Sequence, residues 1–420
     1  MKILIFGINY YPELTGIGKY TGEMGAWLAA QGHEVAVVTA PPYYPEWDIH
    51  PAYKGKKWFK EIIDGVTVYR VPLYVPKEVT SKKRILHEFS FLGSVLPKWF
   101  GLLLKKKYDV VININPPFHL GFFALLYAKI KKARLLTHIQ DLQIDAAKDL
   151  GMIRNKRLLD WMFKSERYLL NSSHAVSSIS LGMQRKILAK GVPKEKFIMF
   201  PNWVDETAIK PLSINESLRK EWNIPMDDKV ILYAGNLGEK QGLEVIIEAA
   251  EAFKQNHFIR FLIVGSGGNK ENLQKAVSER GLNNVFFYPL QPYEKLSALL
   301  ATADIHLVLQ KKSAADLVMP SKLTGIFSAG GCALVTAMPN TSLYDIVDQG
   351  RLGVLVEPES TQALVDGLNR MLSEDLASYR NAAREYAMQH LSKERIMRNF
   401  EDRLLEMIGV KERTKKWHYA

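Results

Sequence analysis

Short apolar runs alternate along this chain with longer stretches whose apolar residues recur at helical spacing. Lys2–Gly7 is an almost unbroken apolar run, as expected of a parallel strand covered on both faces. Asn9 to Thr15 reads as a loop, Gly16-Ile17-Gly18 opens a helix that runs through Ala30, Gly32 stops it, and Glu34–Thr39 is a second strand. That is a βαβ unit. The same unit returns as strand Lys229–Ala234, a glycine-bearing loop Gly235 to Gly242, helix Leu243–Phe253 and strand Arg260–Val264. Further strands are expected at Val66–Val71, Val110–Ile114, Arg134–Ile139, His174–Ser177, Val285–Tyr288, Ile305–Leu309 and Ala333–Thr336, with helical patterns between most of them. The pattern predicts the α/β class, with two doubly wound parallel sheets joined by right-handed crossovers. The boundary falls near Val204–Pro211, Gln362 to Ile408 is helical, and a basic tail follows from Lys411.

A length of 420 residues agrees with two or three domains. Hydrophobic residues at 47% and charged residues at 24% exclude fibrous, collagen-like and disordered classes. The net charge of +12 changes the picture, because it asks for an acidic partner: nucleic acid, anionic lipid or a phosphorylated small molecule. The single cysteine, Cys332, excludes an intrachain disulfide and any cysteine-based metal centre, and a reducing cytosol fits. The uncharged stretches Val110–Ala128 and Leu323–Tyr344 are interrupted by Pro116-Pro117 and by Gly330-Gly331 and Pro339, so neither reads as a membrane span.

Several motifs carry candidate chemistry, each with a plainer alternative. Gly16-Ile17-Gly18 at a helix start lets backbone approach an anion; the alternative is a flexible turn. It is not a P-loop, since Tyr20 follows Lys19 and Glu13 stands where the first glycine belongs. Nor is it a dinucleotide fingerprint, since the second strand ends Val38-Thr39-Ala40 without an acid. Gly235 to Gly242 places Asn236 and Lys240 beside a helix start, as a phosphate contact or a solvated turn. Gly265-Ser266-Gly267-Gly268 suits a ligand lying on backbone at a strand's carboxyl end. His138 ends an apolar strand, where it either meets a ligand or bonds to Asp141. In Ala315–Thr324, Ser321 is a candidate N-cap, and Lys322 is held for an anion or is a surface lysine. There is no Asp-x-Asp, no His-Glu-x-x-His and no Gly-x-Ser-x-Gly, so no metal site is expected. Ser81 to Lys107 is basic at both ends, with Ile85, Phe89, Leu92, Leu96, Trp99 and Leu103 at helical spacing. It is either an interfacial helix on anionic lipid or an amphipathic helix, broken near Pro97, on its own sheet.

Together these residues resemble the GT-B sugar-nucleotide glycosyltransferases of family four, and the likeness covers nearly the whole chain. Within them, Pro12–Met24, Ala40–Pro45, Gly235-Asn236 with Gly238–Glu244, and Pro320–Thr324 are similar to runs of the colanic acid biosynthesis fucosyltransferases. The chain departs from the family's pattern at Asn236, where the family has arginine. Gln241 aligns with its clamp lysine, which puts Lys240 one place off, and Asp316 and Thr324 stand at the spacing of its paired glutamates.

The resemblance implies a GT-B fold: residues 1–207 as an acceptor-side Rossmann-like domain, 208–385 as the donor-nucleotide domain, and 386–420 as a helix and tail returning to the first. It implies a retaining, metal-independent enzyme that moves a sugar, fucose from GDP-fucose, onto a polyprenyl-diphosphate-linked sugar for a colanic acid-like exopolysaccharide. His138, Lys240 and Lys322 would be catalytic. Gly16, Gly18, Asn236, Gly267, Asp316, Ser321 and Thr324 would bind donor in a cleft between the domains. Lys82, Lys83, Arg84, Trp99, Lys105, Lys106 and Lys107 would meet acceptor and anionic membrane, on the inner face of the cytoplasmic membrane, with no nucleic acid partner. The alternatives are a family-four transferase for another nucleotide sugar, such as a UDP-hexosamine, and a non-catalytic protein that binds nucleotide sugar or nucleic acid.

Overall fold

The computed structural model describes the chain except residues 14–15, 79, 150–152, 154, 239–240, 313–320 and 411–420. The chain forms two compact units, Met1–Pro201 with Met397–Ala420, and Asn202–Ile396.

The first unit is built on an eight-stranded sheet: β1 (Lys2–Phe6), β2 (Glu34–Thr39), β3 (Phe59–Ile63), β4 (Val66–Arg70), β5 (Val110–Asn115), β6 (Arg134–Ile139), β7 (Ala175–Ser178) and β8 (Phe197–Met199). Their order is β3-β4-β2-β1-β5-β6-β7-β8. All neighbours are parallel except β3 and β4. Ile3, Leu4, Ile5 and Phe6 are all completely buried, because helices cover both faces of the central strand. That is the physical basis of the unbroken apolar run. Sequence reasoning did not expect β3 or β8. β3 pairs at the sheet edge and alternates half-buried with exposed residues, so it carries no apolar run to read.

The longer helices of this unit are α1 (Gly16–Ala30), α2 (Ser81–Leu103), α3 (Leu120–Lys131) and α5 (Lys156–Ser172), with the shorter α4 (Gln143–Asp149) and α6 (Leu181–Ala189) between strands. α2 passes through Pro97 without a break, contrary to the expected interruption. Its capping is local: the Thr80 hydroxyl accepts from Lys83 N.

The second unit holds β9 (Lys229–Ala234), β10 (Ile259–Val264), β11 (Val285–Tyr288), β12 (Ile305–Val308), β13 (Ala333–Thr336) and β14 (Gly353–Val356). The order is β11-β10-β9-β12-β13-β14, entirely parallel. This is the doubly wound order, with its reversal between β9 and β12. The first sheet reverses in the same way between β1 and β5. Here α7 (Glu244–Ala252), α8 (Lys270–Glu279), α9 (Leu296–Ala301), α10 (Ser321–Ser328) and α11 (Ser342–Gly350) alternate with the strands.

The helical stretch expected over 362–408 is three helices, α12 (Thr361–Ser373), α13 (Ala377–Tyr386) and α14 (Lys393–Met407). The break before α14 has a cause: Val204 pairs with Ser392, receiving Lys393 N and donating to Leu391 O. From Met397 on, α14 belongs with the first unit. Phe400 stacks on Phe200 at 3.8 Å and 10°, and the His33 ring lies 2.6 Å from Glu401 Oε1. Among the described residues, no helix is long and apolar enough to cross a membrane.

Candidate active site

In open α/β sheets, ligands collect beyond the carboxyl ends of the strands where the order reverses. In the second unit that place is flanked by the loop after β9 and the loop after β12. The first of these is zipped to the loop after β10. Gly235 N donates to Val264 O, Leu237 N to Ser266 O at 2.8 Å, and Asn269 N to Leu237 O at 2.9 Å. A Cβ on Gly265 would stand 1.9 Å from Gly235 O, and one on Gly267 would stand 2.4 Å from Leu237 O. The glycines after β10 are therefore what two backbones in contact require, and a side chain on Gly267 would strike Leu237.

Lys322, the second residue of α10, reaches the near end of the glycine loop. Its Nζ lies 3.9 Å above the Tyr233 ring and 3.1 Å from the place a Cβ on Gly235 would take. Burial pushes this ammonium down to about 7. The aromatic face holds the cation in part. Tyr233 in turn donates its hydroxyl to Asn236 O at 2.8 Å, which fixes the loop over the lysine. At the far end, the stem of Lys311 comes within 3.3 Å of the corresponding point on Gly242. Two lysines thus bracket the loop at the switch point. Sequence reasoning passed over Lys311. Its signal was position: a cation two residues after the apolar run that ends at Leu309.

The Asn236 side chain is exposed and, like Gln241 Oε1, lies beside Gly238, and Gln241 Oε1 is buried with no partner among the described residues. Cations and amides fixed around a small volume suit a diphosphate and the charge that develops on it when a sugar leaves. Thr324 is buried within α10. Ser321 is the first residue of α10 rather than the residue before it, which corrects the N-cap reading. Lys240 and Asp316 lie outside the described residues.

In the first unit, His138 ends β6 and is 1% exposed. Its Nδ1 meets Ser177 Oγ at 2.9 Å, its Nε2 meets the Gln140 amide at 2.9 Å, and the ring packs edge-on against Phe200. Burial pushes it down to about 3, so it is neutral. The partner that was expected, Asp141, is replaced by Ser177 and Gln140, and both ring nitrogens are taken by the protein itself.

The glycine-rich start of α1 is also used internally. Glu13 is buried, accepting from Tyr43 N, Tyr44 N and Asn9 Nδ2. A Cβ on Gly18 would fall 2.4 Å from Glu13 Oε2, and one on Gly22 would fall 2.4 Å from the Tyr11 ring. Gly18 therefore makes room for the chain's own carboxylate, and the buried Gly18 backbone is not presented to a donor. Gly16 is exposed, beside Tyr44.

α2 has two apolar faces. Phe91, Val95, Trp99 and Leu102 enter the core, and Trp99 Nε1 donates to Phe123 O. Trp99 is therefore a core residue and not a membrane anchor. Ile85, Leu86, Phe89, Leu96, Phe100 and Leu104 are exposed on the other side. Lys82, Arg84, Lys105, Lys106 and Lys107 are exposed around them, while Lys83 is half-buried and pairs with Glu78 at 3.3 Å. One face of α2 thus packs in the core, and the other is apolar, exposed and accompanied by exposed cations.

Residues 15–203 match the model of the glycosyl transferase 4-like domain, and residues 214–390 match that of glycosyl transferases group 1. The putative colanic acid biosynthesis glycosyl transferase WcaI of Escherichia coli K12 is 44% identical over 408 residues, 95% of this chain and 98% of that one. The amylovoran biosynthesis glycosyltransferase AmsK of Erwinia amylovora is 27% identical over 60% of each chain. Among solved structures, a sucrose-phosphate synthase from Thermosynechococcus elongatus superposes with a TM-score of 0.73 at 16% identity, over 98% of this chain and all of that one. Anabaena HepE, in complex with UDP and glucose, superposes with a TM-score of 0.69 at 15% identity, over 97% of this chain and all of that one. These structural likenesses establish the two-unit GT-B fold.

Proposed function

The chain belongs to the group 1 glycosyl transferases of the GT-B fold and is a glycosyltransferase, and from that premise we propose a specific reaction. It moves fucose from GDP-fucose, with retention of configuration and without a metal ion, onto a polyprenyl-diphosphate-linked sugar at the inner face of the cytoplasmic membrane. The product belongs to a colanic acid-like exopolysaccharide. The observation that carries the reading is Lys322 poised over Tyr233 at the mouth of the glycine loop, with Lys311 at its other end. As the bond between the anomeric carbon and the β-phosphate oxygen breaks, the electron pair stays on the diphosphate. The two ammonium groups and the loop amides meet that charge where other sugar transferases place a divalent ion. The acceptor oxygen bonds to the anomeric carbon on the face the diphosphate leaves, and its proton passes to the departing β-phosphate oxygen. The 44% identity to a relative named for colanic acid supports the pathway, and the departures at Asn236 and Gln241 are local.

A panel of nucleotide sugars, read by protection against melting and by hydrolysis in EDTA, tests the donor. GDP-fucose is expected to protect and to be hydrolysed with EDTA present. Protection by a UDP-hexosamine alone would move the enzyme to the alternative donor, and loss of turnover in EDTA would overturn the metal-free reading.

Membrane attachment rests on the second apolar face of α2 and its cations. Apolar side chains enter the acyl boundary while lysines meet anionic headgroups, each contributing about 1 kcal/mol near the surface. Replacing Lys82, Lys83, Arg84, Lys105, Lys106 and Lys107 with glutamine is expected to release the protein from phosphatidylglycerol vesicles in a flotation assay. Undiminished flotation would return α2 to a purely structural role.

A further inference from the structure

The first unit has its own switch point, between β1 and β5, and the loop leaving β5 carries an unexplained pair. His119 follows the two prolines after Asn115. Its Nε2 is buried and has no hydrogen-bond partner among the described residues. The nearest acid is Glu88, on α2, whose Oε2 lies 3.8 Å away. That is too long for a hydrogen bond. Nor is it an ion pair, since burial pushes His119 down to about 4 and leaves the ring neutral. Glu88 is itself pushed up by burial, and only its Oε1 is engaged, accepting from Gln143 Nε2 at 2.7 Å. Arg84 stands at 4.0 Å from that same oxygen. Among the described residues nothing bonds to Oε2.

Buried polar atoms are rarely left without partners, and leaving them so carries a cost. His119 Nε2 is such an atom, and it faces Glu88 Oε2, which is not itself a buried orphan, across a gap that one oxygen can bridge. A hydroxyl about 2.8 Å from each would donate to the Glu88 carboxylate and accept from Nε2–H. The surroundings suit a sugar. Phe89 stacks flat on His119 at 4.9 Å and 10° and is 56% exposed, and Phe118 meets the same imidazole edge-on at 5.5 Å. An aromatic wall with a few convergent polar groups is how small-molecule sites fix orientation.

We propose that Glu88 and His119 form a subsite that grips one hydroxyl of the acceptor's sugar, with Phe89 as its aromatic wall. This rests on the glycosyltransferase reading above and adds to it which residues choose the acceptor. It lies in the first unit, whereas Lys311 and Lys322 lie in the second, so donor and acceptor effects separate.

The test uses the full-length protein with GDP-fucose and a set of short-chain polyprenyl-diphosphate monosaccharides. The sugar that accepts fucose becomes the probe, together with its monodeoxy analogues. In the wild-type protein, removal of one particular hydroxyl is expected to lower kcat/KM by at least about tenfold, since a site built around a hydroxyl rejects the analogue that lacks it. Glu88→Gln and His119→Phe, the latter keeping the stack on Phe89, are expected to raise the acceptor KM by a similar factor with donor hydrolysis as the control. In both variants the penalty for the missing hydroxyl should vanish. If no single deoxy analogue is penalised, or if both variants keep the acceptor KM and the penalty, the subsite is overturned and the enzyme's function stands. If the wild-type protein transfers to no member of the set and hydrolyses no nucleotide sugar, the functional reading fails and the subsite fails with it.

Discussion

Lys322→Met is expected to lower sugar transfer on the order of 10²- to 10³-fold, the usual cost of removing one preorganised group that stabilises developing negative charge, while leaving the protein no less stable. The two halves of that result have one cause. The ammonium is half-buried over Tyr233, and burial holds it down to about 7. An unfolded lysine titrates near about 10.4. Between those values the unfolded chain binds the extra proton, so wild-type stability rises with pH across the window. Lys322→Met removes that rise, and urea titrations at pH 7 and pH 9 should show the wild-type gain missing in the variant. Function runs the other way. The charged form is the one a diphosphate needs, so GDP affinity should fall as pH climbs above 7, with proton uptake on binding measurable by calorimetry in buffers of different ionisation enthalpy. Full transfer by Lys322→Met, or a GDP affinity flat from pH 6 to 9, would remove Lys322 from the site.

Lys190→Met should produce the largest loss of stability, about 3–5 kcal/mol, the range for breaking a buried ion pair from one side. Lys190 follows α6 and places its Nζ 2.5 Å from both Asp145 Oδ2 on α4 and Glu166 Oε2 on α5. Lys190 is 8% and Glu166 2% exposed, and burial already pushes the Glu166 carboxyl up although Lys190 pulls it down. Without the cation, both carboxylates face each other with nothing to hold their charge. The Glu166 carboxyl, already pushed up by burial, then rises further above its unfolded value, so the variant loses stability as pH rises through that interval. Urea denaturation should therefore show a deficit smaller at pH 5 than at pH 8. Lys190→Met with Glu166→Gln should recover part of it, because a neutral amide replaces the stranded charge. A deficit that does not change with pH would mean the loss is one of packing alone.

Much of the fold was written in the one-dimensional pattern. After the lysine that opens each of them, β1 and β9 are apolar because both faces are covered, and that constraint survives in the sequence without any knowledge of neighbours. α1 begins at Gly16 and ends at Ala30, where the glycines and the helical period place it. β3 was not legible because an edge strand paired on one side needs no apolar run. The stop before α14 was not legible because it depends on Val204, far away in sequence.

The site divides in the same way. The sequence by itself determined the class of chemistry: strand–glycine loop–helix units, a basic chain and Lys322 beside a helix start. Only the tertiary structure decided what each glycine and lysine is for. Gly18 and Gly267 look alike as letters, yet one clears space for Glu13 and the other for Leu237. Lys311 becomes a candidate because β12 ends beside β9. His119 and Glu88 meet only because α2 and the loop after β5 pack together. The reason is general: apolar periodicity records how much of a residue is covered, which is local, whereas a site is set by which distant backbone or side chain does the covering.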